Sequence, residues 1–232
     1  MMLATSVATT IEAAAGPALH IPDGFLSAPV AIVGWAVTAA AVGVAARRAE
    51  RTMSDRAVPL MGVMAAFIFA AQMMNFPVAG GTSGHLLGGA LAAALLGPWA
   101  AIIVMTAVVG LQGLLFQDGG LLVMGANILN MGVVTALLAA LLFRLARPSG
   151  RVATSVVAFI AAWLTVEASA TLTALQLAAS GTSPLEVALP AMLTVHALIG
   201  VGEGLITAAA LAFIRATSPN LLPPALATEV TR

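Results

Sequence analysis

Residues 187–214 read VALPAMLTVHALIGVGEGLITAAALAFI, a run in which Glu203 is the single formally charged side chain. A helix crossing roughly 30 Å of hydrocarbon needs about 20 mostly apolar residues, and this run exceeds that. Working back towards the N-terminus, comparable segments lie at 152–178, 121–143, 98–116, 85–97, 58–76 and 28–46, divided by charged or Pro/Gly-marked breaks. A membrane barrel would show short alternating strands instead. The expectation is an all-α fold, a polytopic membrane helix bundle of about seven transmembrane helices. Of 232 residues, 61% are hydrophobic and 8% charged, against roughly a quarter charged in a soluble domain. Too few charges remain to cover a water-soluble surface.

The segments 85–97 and 98–116 are separated only by the junction of Gly97 and Pro98, which suits either a tight helical hairpin or a single broken helix. Arginine placement arbitrates. All 9 basic residues are arginine. With seven crossings, Arg47, Arg48, Arg51 and Arg56, then Arg144, Arg147 and Arg151, and finally Arg215 and Arg232 share one side. The positive-inside rule then puts the N-terminus outside, the C-terminus in the cytoplasm and the protein in the cell membrane. Merging the two segments would split the arginines between sides.

Lysine is absent, which excludes a GxxxxGK[ST] nucleotide loop and Schiff-base chemistry. With 0 cysteines, thiolate metal sites, iron–sulfur clusters and disulfides are excluded as well, leaving nitrogen, oxygen and thioether as ligands. Residues 1–18 end Ala-Gly-Pro-Ala and form a candidate leader cut after Ala18, ahead of a single transmembrane domain at 19–232. No positive n-region supports that cleavage, and Glu12 interrupts the stretch.

Polar groups are expensive inside an apolar chain, so each is a candidate site. Of the 3 histidines, His20 precedes the first span in LHIPDGFL, His85 follows a glycine-marked bend at Gly80, Gly81 and Gly84, and His196 lies within the last span. Were Leu19 the mature N-terminus, its amine, the His20 amide nitrogen and the His20 Nδ1 would form adjoining chelate rings on one ion. Such nitrogen donors suit Ni²⁺, Cu²⁺ or strong-field Co²⁺ and reject oxygen-seeking Mg²⁺ and Ca²⁺. Spacing alone does not pair His20 with His85, and an ordinary interfacial histidine explains His20 equally well.

HIPDGFL at 20–26 and NFPVAGGTSGHLLG at 75–88 resemble the signature of the substrate-binding membrane subunit of energy-coupling-factor cobalt and nickel transporters. ANILNMG at 126–132 and HALIGVGEGLIT at 196–207 are similar to the same family, so the resemblance runs from His20 to about Arg215. It implies a seven-helix subunit whose N-terminal segment folds back into the bundle and holds Co²⁺ or Ni²⁺, as transported substrate, through Leu19, His20 and His85. It further implies a binder and not an enzyme. Its partners would be a membrane coupling subunit, two ABC ATPase subunits and a small accessory membrane subunit, within the lipid bilayer and without nucleic acid. One departure stands out: the family's ligand histidine usually follows the terminal methionine, whereas here it follows Leu19 behind the 18-residue extension.

Asn75, Thr82 and Ser83 are candidates for supporting His85 by hydrogen bonds, with a purely structural role in the glycine turn as the rival. Asn127 and Asn130 face the bundle interior or bond neighbouring helices. His196 and Glu203, two turns apart on one face, suit a buried ion pair or an interhelical contact. Asp23 caps a turn at 22–24 in preference to binding metal. Met73 and Met74 read as core filling, Glu167 has no specific account, and Ala36, Ala39, Ala40 and Gly43 form a small-residue face for a neighbouring helix. A different class is also open: GTSG at 81–84 matches an intramembrane serine protease of rhomboid type, with Ser83 as nucleophile and His196 as base. Gly200 and Gly204 are out of register with that pattern, and HIPDGFL is left unexplained by it.

Overall fold

A computed structural model describes residues 20–53, 57–73, 76–78, 82–148, 150–223 and 226. The helices are α1 (Ala28–Thr52), α2 (Ala57–Gln72), α3 (Gly89–Phe116), α4 (Met124–Ala146), α5 (Arg151–Ala179) and α6 (Leu185–Thr217). Among the described residues, 5 of these are long and apolar enough to cross a membrane, and α2 is shorter. The all-α expectation holds with one addition, an antiparallel ribbon of β1 (Phe76–Val78) and β2 (Thr82–Gly84) that pairs Pro77 with Ser83.

The segments at 85–97 and 98–116 become the interrupted helix α3. At Gly97 the backbone takes φ 76° and ψ 168°, outside the helical region and accessible to glycine. A straight 28-residue helix would separate its ends by about 42 Å. Yet His85, just before α3, and Asp118, just after it, both touch His20. The chain therefore folds back at Gly97, the hairpin option of the sequence reading. In the first arm Gly89, Ala90, Leu91, Ala92, Ala93, Ala94 and Leu95 are all buried. A helix apolar and buried on every side sits inside the bundle instead of facing lipid.

The described arginines gather at one end. The Arg48 guanidinium lies 5.7 Å from the Trp99 ring centroid, and Arg215 donates to the Thr154 hydroxyl at 3.1 Å. At the opposite end the segment 20–27 meets the loop 117–123, and the Thr182 hydroxyl donates to the Phe25 carbonyl. Helices α5 and α6 approach closely because an added Cβ at Gly200 would sit 2.8 Å from Trp163 and one at Gly204 2.6 Å from Phe159. Ala36, Ala39, Ala40 and Gly43 are exposed on α1, so packing among the described residues leaves them open.

A candidate metal centre between two histidines

The segment leading into α1 is bound to the bundle through its backbone. Ile21 donates its N–H to Asn127 Oδ1 at 3.1 Å, and its carbonyl accepts from Asn127 Nδ2 at 3.0 Å and from the Gly120 N–H at 2.9 Å. Two residues on, the Asp23 carboxylate accepts the N–H groups of Leu121 at 3.1 Å, Leu122 at 2.9 Å and Val123 at 3.3 Å. These amides lead into α4, where orphan donors and the helix dipole favour a carboxylate. Asp23 thus caps a helix about 100 residues away, a correction to the expected cap of its own turn at 22–24. The approach is possible only because positions 119 and 120 lack side chains: a Cβ on Gly119 would sit 2.7 Å from His20 Cβ, and one on Gly120 2.2 Å from Asp23 Oδ1.

This docking buries His20 to 5% exposure beside His85 at 8%. Their ring centroids are 5.1 Å apart and the rings nearly perpendicular, at 81°. With a metal–nitrogen bond of about 2.0 Å, two imidazoles bound at right angles to one ion would have centroids about 4.5 Å apart, and opposite ones about 6.5 Å. The observed spacing falls between these values. The His85 Nδ1 donates to the Leu86 carbonyl at 2.8 Å, so its lone pair is on Nε2. A ring anchored through one nitrogen to a backbone carbonyl is the usual state of a metal-binding histidine.

The His20 Nδ1 donates to the Asp118 carbonyl at 3.0 Å and lies 3.7 Å from Asp118 Oδ1, while Nε2 is buried with no hydrogen-bond partner among the described residues. Burial pushes the His20 imidazole below its ordinary pKa, against the opposing pull of the Asp118 charge and carbonyl. A neutral ring is the form a metal needs. The nitrogen that the chelate reading assigns to the metal faces Asp118 here. Loading in that mode therefore requires the ring to turn about Cβ–Cγ.

A cavity of about 280 Å³ opens onto both rings, and its wall includes Asn127, Asn130, Met131, Met192 and His196. All three histidines of the sequence thus line one space. The His196 Nδ1 donates to the Met192 carbonyl at 2.8 Å. Glu203 does not pair with His196: its carboxylate accepts the Leu87 and Gly88 amides instead. Asn130 exchanges hydrogen bonds with Gln176 at 2.8 and 2.9 Å and donates to Thr173 at 3.1 Å, bonding α4 to α5. Asn130 lies within a π-helical stretch of α4, Leu129–Val134, a feature that recurs at functional sites. Glu167 does not line the cavity, and its Oε1 is buried without a hydrogen-bond partner among the described residues.

Leu19, Asn75 and Met74 lie outside the described residues. Thr82 and Ser83 are described only as backbone of β2. Sequence reasoning missed Asp118 and the amide targets of Asp23 and Glu203. Only the Asp118-Gly119-Gly120 turn signature could have drawn attention to the first. Among the described residues, no three His, Cys, Asp or Glu side chains converge as a metal cage.

The family described as the cobalt uptake substrate-specific transmembrane region matches residues 20–221. The chain belongs to that family. It is 43% identical to a protein of Haloquadratum walsbyi named for metal transport, over 88% of this chain and 93% of that one. It is 35% identical to the fused nickel transport protein of Rhodobacter capsulatus, over 89% of this chain and 64% of that one. A crystal structure of a truncated transition metal transporter superposes with a TM-score of 0.75 at 32% identity, covering 84% of this chain and 97% of that one. This family member is therefore a multi-pass membrane component of a metal transporter and not an enzyme. The protease reading of Ser83 and His196 finds no support in these relatives.

Proposed function

We propose that the chain is the substrate-specific subunit of an energy-coupling-factor importer for cobalt or nickel, and that it captures the ion from outside between His20 and His85. The observation that carries this reading is the meeting of two imidazoles, 65 positions apart in sequence, edge to face at 5.1 Å on a shared cavity. The Leu19 amine and the His20 amide nitrogen complete a planar nitrogen set once residues 1–18 are removed. Such a set takes Ni²⁺ or Co²⁺ and leaves Mg²⁺ in solution.

In this reading the chain crosses the membrane seven times, counting both arms of α3, with the histidine end outside and the arginine end in the cytoplasm. Capture needs no energy. Release inward needs a change in the relative stability of loaded and empty states, which a membrane coupling subunit, two ABC ATPases and a small accessory membrane subunit would supply. Relatives named for nickel and for cobalt transport both accompany this chain, in keeping with a nitrogen set that serves either ion.

The test is a titration of purified protein with Ni²⁺, Co²⁺ and Mg²⁺ beside His20→Ala and His85→Ala. Tight binding of either transition ion, absent for Mg²⁺ and greatly weakened in both variants, is expected. Equal binding by the wild type and both variants would overturn the site.

A further inference from the structure

Glu203 is 3% exposed in the middle of an apolar helix, where a carboxylate is costly. It does not line the cavity between the histidines and is bound to backbone. Oε2 accepts the Leu87 N–H at 2.8 Å and Oε1 the Gly88 N–H at 2.7 Å. Helix α3 has no side-chain cap from its own N-cap residue, Gly88; Glu203 provides one from α6. From the other side Gln72, the last residue of α2 and fully buried, donates Nε2 to the Leu87 carbonyl at 2.6 Å. The Leu87 peptide unit and its neighbour are held from two helices at once, and Ile68 packs where a Gly88 Cβ would lie, at 2.8 Å.

The held turn is the one that carries His85. That ring is itself bound to the Leu86 carbonyl, so few soft torsions separate the clamp from the imidazole. Both Glu203 oxygens accept from successive amides, so the clamp fixes the orientation of this turn. We propose that Glu203 and Gln72 are positioning residues for metal capture, holding the 86–88 turn so that the His85 ring faces His20. Through them α2 and α6 are mechanically linked to the metal. A shift of either helix, as a coupling partner could impose, moves a ligand. This inference rests on the metal-site reading above.

A double-mutant cycle separates positioning from general stability. The protein processed to Leu19 is titrated with Ni²⁺ as wild type, Glu203→Gln, Gln72→Met, His85→Ala and His85→Ala/Glu203→Gln, with metal-free thermal unfolding recorded for each. The expected result is an affinity loss on the order of 10- to 100-fold for Glu203→Gln and Gln72→Met. Residual binding in the double variant should be no weaker than in His85→Ala alone. Should Glu203→Gln fail to fold, Gln72→Met with His85→Ala completes the same cycle. Wild-type affinity in both single variants, or losses that add in full to that of His85→Ala, would overturn the positioning role. If His85→Ala itself binds like wild type, the metal site falls and this inference with it. If His85→Ala weakens binding while the clamp variants do not, only this inference falls.

Discussion

Replacing Asn127 by leucine tests whether the N-terminal segment is docked as the structure shows. The side chain is 3% exposed and makes a reciprocal pair of hydrogen bonds with the backbone of Ile21, at 3.1 and 3.0 Å. Leucine keeps the volume and removes both. The Ile21 carbonyl retains the Gly120 N–H at 2.9 Å, whereas the Ile21 N–H is left without its partner. At about 0.5–1.5 kcal/mol for each bond, with some added cost for the orphaned donor, the docked state loses about 2 kcal/mol, a factor of about 30 in the opening equilibrium. Hydrogen exchange followed by mass spectrometry reads this directly, because local opening sets the exchange rate. Peptides covering 20–27 should exchange about 30 times faster in the variant, with those from α5 unchanged. Metal affinity should fall in proportion to the docked fraction lost. Unchanged exchange in 20–27, in a variant that folds, would refute the docking argument.

Asp23→Ala removes the acceptor for the amides leading into α4 and should cost about 0.5–2 kcal/mol, the range of a lost helix cap, measurable as faster exchange in 121–124. Gly120→Ala places a Cβ 2.2 Å from Asp23 Oδ1 and 2.3 Å from the Asp23 N, so it should expel the segment. The expected readout is Ni²⁺ affinity reduced at least tenfold while the helical circular dichroism is kept. Ser83→Ala should leave metal affinity within about twofold, since none of the donor set is touched. Abolition of a proteolytic activity by that change would revive the protease reading. Loading with Ni²⁺ should slow exchange in 20–27 and in 85–88 together, because an ion bound to both histidines stabilises the docked form by mass action.

The spans were legible because hydrophobic length is a local property: the apolar runs at 152–178 and 187–214 became α5 and α6 with ends moved by a few residues. The hairpin at Gly97 was legible as one of two options, since Gly-Pro marks a break but not its direction. What sequence could not give is which distant backbone a buried polar side chain satisfies. Asp23 has no local pattern pointing to Leu121, and Glu203 none pointing to Leu87, because these bonds span about 100 residues and depend on how the helices pack. The heptad spacing of His196 and Glu203 suggested that the two act together, but in the structure each bonds a different backbone group. The meeting of His20 and His85 was legible only through the family resemblance. The π stretch in α4, which holds Asn130, leaves no periodicity to read.

Whether one ion binds both imidazoles can be read from X-ray absorption at the metal edge of the nickel-loaded protein. The expected spectrum shows a shell of nitrogen donors alone, with outer-shell scattering from two imidazoles that falls to one in His85→Ala. An oxygen or thioether shell, or an imidazole count that does not change in His85→Ala, would contradict it.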